Sequence, residues 1–519
     1  MKIMQKLIYS KSILSLTLGA ALLASCSDSR FEEINQDPNR PTNATTTTIL
    51  LNAEKQVIDN IRNENSSLRG SQLFAQYYSQ NIYSDQSRYD IPRSYSDTYW
   101  SNAYKALNNL NEIIILNSNP ATRDVAAAGT AGTNANQIAI ARILKAYTFQ
   151  NLTDVYGNIP YQSYGNNDPE FQALQQSPEN LSPAYASQQK IYLDILNELK
   201  AAGDTLNKYK TATTFGNYDV IYKGKNELWA KFANSLRLRV ATRIRKAAPA
   251  ESNTHFEDAL AKGVFTSNAD NAVFRYQALA PNEAPLFRAT VTANRKDFAV
   301  SHVLIDVLKG QRGTVKVQDP RLPIYATKNA AGEYVGQPYG LPVAAAGLLT
   351  ATDVSLPGTV VNAANYGEVL QEYAEVAFLI SEYKNWDQQE YIKGVTASLQ
   401  KWGVSAADIT TYVTALPKAD KANVLNQKWL ALYTQGDEAW AEVRRTGYPT
   451  FLVRPGEVVW SRTVSGQTTN YKFEPLFGTG VPERLYYPPK EQSVNLANYQ
   501  NAVKAQGNDD ITTPLWWNK

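Results

Sequence analysis

Side chains capable of ligand chemistry are densest in the stretch "YSDQSRYDIPRSYSDTYW", residues 83–100. Tyr83, Tyr89, Tyr95, Tyr99 and Trp100 alternate there with Arg88, Arg93, Asp85, Asp90 and Asp97, between two helical patterns and around Pro92. Flat aromatic faces beside charged groups suit a polar, ring-bearing or extended ligand, with stacking for affinity and directed hydrogen bonds for orientation. Two other stretches have the same character. Residues 276–298, "YQALAPNEAPLFRATVTANRKDF", offer Tyr276, Asn282, Arg288 and Arg295 among turn formers, and "GEYVGQPYG", residues 332–340, is a glycine-rich aromatic loop holding Tyr339. The candidate ligand contacts are therefore Tyr83, Arg88, Tyr89, Tyr95, Trp100, Tyr276, Asn282, Arg295 and Tyr339. For each aromatic the competing reading is core packing, and Tyr99 and Trp100 would then open the next helix.

Other chemistries are poorly provided for. His255 and His302 are the only histidines in 519 residues, too few for a histidine zinc site and poor stock for a Ser-His-Asp triad. The chain has no G-x-S-x-G, H-E-x-x-H, Walker A or dinucleotide-binding glycine pattern, so neither a catalytic centre nor a cofactor or metal is expected. Carboxylates are abundant, but nothing in their spacing isolates a glycosidase pair. Asp437-Glu438 and Asp509-Asp510 are acidic doublets that could touch calcium, and doublets alone carry little weight. The formal charge of +3 makes no case for nucleic acid, which needs a concentrated basic face.

Cys26 is the only cysteine, which rules out an intramolecular disulfide. Before it stand a leader with Lys2, Lys6 and Lys11, an apolar run over residues 13–23 too short to span a bilayer, and the small residues Ala24 and Ser25. The run Leu23-Ala24-Ser25-Cys26 resembles a bacterial lipobox. That resemblance implies removal of residues 1–25 and a lipidated Cys26 as the new N-terminus, with at least two acyl chains for stable anchoring. Residues 26–48 are polar, with Pro38, Pro41 and a threonine run, and read as a tether. The acidic residues Asp28, Glu32 and Glu33 just behind the cysteine resemble a Bacteroidota surface-export signal.

Residues 49–519 read as one mostly α domain. Apolar periods near 3.6 predict helices over 49–62, 71–83, 99–116, 136–156, 190–202, 225–245, 300–308, 368–385, 389–402 and 423–445. In the sixth, Leu228, Phe232, Leu236 and Val240 recur every fourth residue, while Arg237, Arg239, Arg243 and Arg245 fall elsewhere on its circumference and read as solvated or carboxylate-paired. Strand signals are short: 314–317, 323–325, and 458–471 with Gly466 at a turn. Helix pairs with alternating alanine and aromatic contacts predict a TPR-like solenoid, interrupted by long insertions at 203–224 and 319–367. Tyrosine is over-used, 32 against 15 phenylalanines, which suits wet interfaces and polar ligands.

Seven stretches taken together, "FEEINQDPNRPT", "AYTFQNLTDVYGNIPY", "YKGKNELWAKFANSLRLRVA", "DPRLPIYA", "EVAFLISEYKNW", "LNQKWLALYTQGDEAWAEVRRTG" and "ERLYYPPKEQSVN", resemble the SusD/RagB-like outer-membrane lipoproteins of Bacteroidota, in the order and spacing of the SusD-like type 2 branch. The resemblance runs from Cys26 almost to Lys519. It implies four TPR-like helix pairs with a loop-rich ligand face. It also implies a non-enzymatic surface lipoprotein that captures an oligomeric nutrient, often a glycan, and sits as a lid on a SusC-like TonB-dependent transporter. The family's ligand-contacting region corresponds best to residues 83–100. An oligosaccharide or a peptide is the expected ligand; a surface glycoside hydrolase or a ligand-free structural lipoprotein are the remaining alternatives.

Overall fold

In the computed structural model, which describes residues 45–127, 132–175 and 180–519, the apolar periods become helices that stack in chain order. Cys26, its leader and most of the tether lie outside the described residues. Helices α1 (Thr46–Arg62), α2 (Ser94–Ser118), α3 (Thr133–Tyr156), α4 (Gln188–Lys208), α5 (Asn226–Arg243) and α6 (Pro249–Lys262) each pack on the helices next to them in sequence, as in a solenoid. After α7 (His302–Leu308) a second group follows: α8 (Tyr373–Tyr383), α9 (Gln388–Lys401), α10 (Ala406–Thr414), α11 (Lys421–Ala431) and α12 (Gly436–Thr446). Within it α8 packs on α9 and α11 and also reaches α5. Helix α13 (Leu496–Gln506) precedes the C-terminus.

Short antiparallel pairs tie distant loops together. Strand β1 (Tyr78–Gln80) pairs with β3 (Phe298–Val300), β2 (Ala272–Arg275) with β4 (Gly367–Gln371), and β5 (Val458–Val464) with β6 (Gln467–Lys472).

Several expected elements differ, each for a local reason. The helix expected over 71–83 gives way to β1, because Gln76 takes a left-handed φ of 59° and turns the chain into the strand. The helix expected over 368–385 is β4 followed by α8, and that over 300–308 starts only after β3 and a serine N-cap, Ser301, whose hydroxyl accepts from the Val303 N–H. The single helix expected over 423–445 is two, α11 and α12. They part at Gly436, where a Cβ would come within 2.9 Å of the Gln72 backbone nitrogen, so only glycine permits the approach. Residues 314–317 form no strand, and residues 323–325 lie in a helical turn, Leu322–Tyr325, whose first turn accommodates Pro323. The helices α6, α10 and α13 are additional to those expected.

On α5 the carboxylate-paired reading of the arginines holds and the solvated one does not: Arg237, Arg239 and Arg243 are buried as fully as Leu236 and Val240. Each finds carboxylates. Arg239 donates to both oxygens of Glu375 on α8, at 2.7 and 2.6 Å, and Arg243 reaches Glu438 and Glu442 on α12, each at 2.6 Å. Arg62, closing α1, reaches Asp437 on α12 and, at 3.3 Å, Glu368 on β4. Burial opposes charge on Glu442, but Arg445, Lys428 and Arg243 hold its carboxyl well below the usual range.

Breaking one partner of such a pair leaves a buried unpaired charge. Arg239→Met alone should lower the unfolding free energy by about 3–5 kcal/mol, and Arg239→Met with Glu375→Leu should recover at least half of that loss. Urea unfolding of the two variants beside the parent checks this. A double variant no more stable than the single one would show that the pair is net stabilising.

Candidate functional site

Three chain segments far apart in sequence meet around Tyr83. The antiparallel pairing of β1 and β3, with Tyr78 opposite Val300 and Gln80 opposite Phe298, delivers the chain to the loop at 81–88. The Ser79 hydroxyl donates to the Pro338 carbonyl at 3.0 Å and the Ser84 hydroxyl to the Leu341 carbonyl at 2.6 Å, which brings in residues 337–349. Arg88 donates its Nε to the Glu474 carbonyl at 2.9 Å, and the Leu476 N–H returns a bond to the Arg88 carbonyl at 2.7 Å, which brings in the segment after β6.

The face these segments form is unusually apolar for a surface. Tyr83 is 63% exposed, and Ile82, Val343, Leu348, Leu476 and Phe477 are exposed with it. A cluster of exposed apolar side chains rimmed by polar groups marks a binding surface more than a chance of folding. Tyr83 sits at a left-handed φ of 56°, a conformation a tyrosine keeps only where its surroundings impose it. The adjoining hairpin adds a second platform. Trp460 lies opposite Tyr471, their rings stacked at 5.2 Å and 22°, partly exposed and packed on Leu341, Ala345 and Ala346. Neither residue stands among the sequence candidates.

The sequence candidates divide. Tyr83 and Arg88 are on this face. Tyr95 and Arg295, two hundred positions apart, are joined through Glu64 and Arg69: the Tyr95 hydroxyl accepts from Arg69 at 3.2 Å, and Glu64 accepts from Arg69 at 2.6 Å and from Arg295 at 2.7 Å. Asp297, paired to Arg295 at 2.6 Å, accepts the Asn81 N–H on its carbonyl, so this polar cluster adjoins the loop of Tyr83.

The other aromatics are core, which corrects the expectation that they offer faces to a ligand. Tyr89 is enclosed edge-on by Phe74 and Phe473, and Tyr339 packs on Phe473 while its hydroxyl donates to the Leu73 carbonyl at 2.8 Å. Trp100 sits among Tyr104, Tyr156, Tyr185 and Tyr487. Tyr276 is buried with its hydroxyl on Asp59 at 2.7 Å, and Asn282 belongs to a backbone turn beside it, accepting from the Gln277 N–H at 2.8 Å; this pair shares no described hydrogen bond with Tyr83. The acidic doublets are also committed elsewhere: Asp437 and Glu438 to arginines, Asp509 to Arg93 and Arg484, and Asp510 to Thr512. Among the described residues no group of three or more His, Cys, Asp or Glu is placed to hold a metal ion.

Comparison with known proteins gives the geometry a context. A family model described as SusD-like, starch-binding associating with outer membrane, matches residues 38–475. Among solved structures, a chitin-binding protein is 26% identical, with 91% of this chain and 98% of that chain covered and a TM-score of 0.70. A chitin-binding SusD homologue from Flavobacterium johnsoniae is 24% identical over 91% of this chain and 98% of its own, with a TM-score of 0.71. A SusD homologue from Parabacteroides distasonis shares 21% identity over 92% and 98% of the two chains, with a TM-score of 0.75. No curated protein matches the chain.

The loop face rests on His302 at the start of α7. Its Nδ1 accepts the Tyr339 N–H at 3.1 Å, which requires that nitrogen to be unprotonated. Burial first, then the charge of Arg312, pushes the imidazole down to about 4. An unfolded histidine titrates near 6.5, so the stability this neutral ring contributes is complete above that pH and is lost as pH falls towards 4. His302→Asn keeps an acceptor and removes the titration. The stability gap between parent and variant should therefore shrink by up to about 2 kcal/mol between pH 7 and pH 5, measured by urea unfolding at both values. A gap independent of pH would refute the assignment.

Proposed function

The chain belongs to the SusD-like family, and we propose that it is a cell-surface lipoprotein that captures an oligomeric glycan on the loop face around Tyr83 and passes it to a SusC-like TonB-dependent transporter. The observation that carries the reading is the loop face itself. Tyr83 and the stacked pair Trp460–Tyr471 give flat apolar platforms for sugar rings, while Arg88 and the Tyr95–Arg295 cluster supply directional donors at its border. The 26%-identical chitin-binding protein favours a glycan over a peptide and makes chito-oligosaccharides the first ligand to try.

Binding and release, rather than bond cleavage, suit this arrangement. The charged groups of the polar cluster beside Tyr83, namely Arg69, Glu64, Arg295 and Asp297, are engaged with one another and offer no free carboxyl pair as acid and nucleophile. Delivery then needs only that a partner remove the ligand from shallow stacking contacts. No described helix is long and apolar enough to cross a membrane. Attachment in this proposal is through acyl chains on Cys26, with the polar segment at 26–48 giving the body reach over the transporter mouth.

Tyr83→Ala and Trp460→Ala should each weaken chitohexaose binding by about 5- to 50-fold in calorimetry, the worth of one stacked ring, without moving the unfolding midpoint. Trp100→Ala should do the reverse, costing about 3–5 kcal/mol of stability. A full-length protein that binds peptides but no glycan would shift the reading to peptide capture. Release of new reducing ends from a bound glycan would replace it with hydrolysis. Palmitate labelling should disappear in Cys26→Ala, and its persistence would exclude the proposed anchor.

A further inference from the structure

A cleft of about 930 Å3, sharing no residue with the loop face, opens between the approach to α5, the edges of β2 and β4, and the end of α9. Its charge is one-sided. Lys223, Lys225, Arg275 and Lys401 line it, and no aspartate or glutamate does. Lys401 is paired to Glu372 and Lys223 acts on the buried carboxyl of Glu54, while Lys225 and Arg275 form no ion pair among the described residues. Lys223, Lys225 and Arg275 are exposed at the rim, and with no acidic side chain among the lining residues they give the concavity a positive local potential.

The cations are held in place by built structure. Asp219, fully buried, accepts from the N–H of Tyr222 and of Gly224, each at 2.8 Å, and from the indole N–H of Trp229 at 2.7 Å. This clamp imposes left-handed φ values of 56° on Lys223 and 74° on Gly224, so the turn presents Lys223 and Lys225 from a fixed frame. Across the cleft, Arg275 lies against Gly367. A Cβ there would sit 3.2 Å from the Arg275 Nη1 and 2.7 Å from Val273, so glycine leaves the guanidinium its lane.

The floor is aromatic. Tyr366 and Trp402 lie nearly parallel, 14° apart with centroids at 6.4 Å. The Trp402 indole N–H is buried and donates to nothing, in a side chain only 8% exposed that lines the cleft. An unpaired buried donor is costly, and an acceptor admitted by a small shift of the cleft wall would relieve that cost.

We propose that this cleft binds an acidic saccharide unit, a sugar ring bearing a carboxylate or sulfate, with its ring against Tyr366 and Trp402 and its anionic group between Arg275 and the Lys223–Lys225 turn. The anion and the ring follow from the cleft; the choice of a sugar over another anionic ring rests on the glycan reading above. The site is separate from the loop face and lets one molecule distinguish acidic from neutral segments of a glycan.

The test uses the full-length protein in detergent micelles, with trigalacturonate, a chondroitin sulfate tetrasaccharide, neutral chitotriose and adenosine monophosphate as probes in calorimetry. At least one of the two acidic saccharides should bind, more weakly as salt rises. Arg275→Gln and Lys225→Gln, both at exposed positions, should each reduce that binding about tenfold. Trp402→Phe, which keeps a ring and removes the donor, should also reduce it, with the unfolding midpoint showing that the variant is folded. Tyr83→Ala should leave acidic binding unchanged; this separates failure of the cleft from failure of the loop face, whose chitohexaose binding is measured independently. Binding of neither acidic saccharide, or binding indifferent to Arg275→Gln and Lys225→Gln, overturns the proposal. Tighter binding of adenosine monophosphate with the same sensitivity overturns its saccharide assignment.

Discussion

A charge taken out of water must be paired where it lies, and that constraint organises this molecule. Helix α5 carries Arg239 and Arg243 into the interior, and the carboxylates that answer them come from α8 and α12, more than a hundred positions later. Arg62 repeats the arrangement from the end of α1 to α12 and β4. The first helical group and the second are therefore held in one register by requirements that tolerate little displacement, since a shift of a single turn would leave several buried ions without partners. Hydrophobic contact supplies most of the cohesion, as in any domain, but it is indifferent to small slides in a way that bidentate guanidinium pairs are not.

That frame explains the tyrosines. With one cysteine there is no internal disulfide to pin long loops, and the hydroxyls of buried tyrosines take over the task. Tyr339 donates to the Leu73 carbonyl at 2.8 Å, Tyr325 to Leu430 at 3.0 Å, Tyr433 to Tyr325 at 2.9 Å, Tyr487 to Asn158 at 2.6 Å and Tyr104 to Pro160 at 2.6 Å. Each bond engages a carbonyl in a loop or at the end of a helix while the ring packs inward, which a phenylalanine could not do. The excess of tyrosine over phenylalanine is thus largely structural. The aromatics left for ligand are those the loops push outward, Tyr83 first among them.

This is also why the sequence revealed the scaffold better than the site. Apolar periods marked α1 to α5, α9 and the α11–α12 region because a helix that packs on its neighbours must repeat near 3.6 residues. Periodicity could not show that α5 is buried on every side from Phe232 onward, since the partners of its arginines Arg239 and Arg243 are remote in the chain. Nor could it separate Tyr83 from Tyr89, six residues on, because their fates depend on Phe74 and Phe473 arriving from elsewhere. The Trp460–Tyr471 platform, by contrast, was within reach. Ser465 and Gly466 make a two-residue turn with φ values of 51° and 79°, and a turn of that length places residue 460 opposite residue 471. The signal was there in "VVWSRTVSGQTTNYK", and it needed the register to be counted outward from the glycine.

The same pairing rule accounts for the contrast between the two surfaces. In the polar cluster beside the loop face the charges neutralise one another, Glu64 shared between Arg69 and Arg295 and Asp297 closing the group, so apolar platforms dominate there and an uncharged ligand loses little on approach. In the cleft beside β4 the alternation of the strand does the sorting. Gly367 and Val369 face the opening, while Glu368 between them turns inward to Arg62. The carboxylate that could have quenched Arg275 is thus committed to the internal lattice, and the cations at the rim keep their field. Burying Arg62 at the end of α1 therefore has a consequence at the surface: the scaffold's demand for Glu368 leaves the cleft positive.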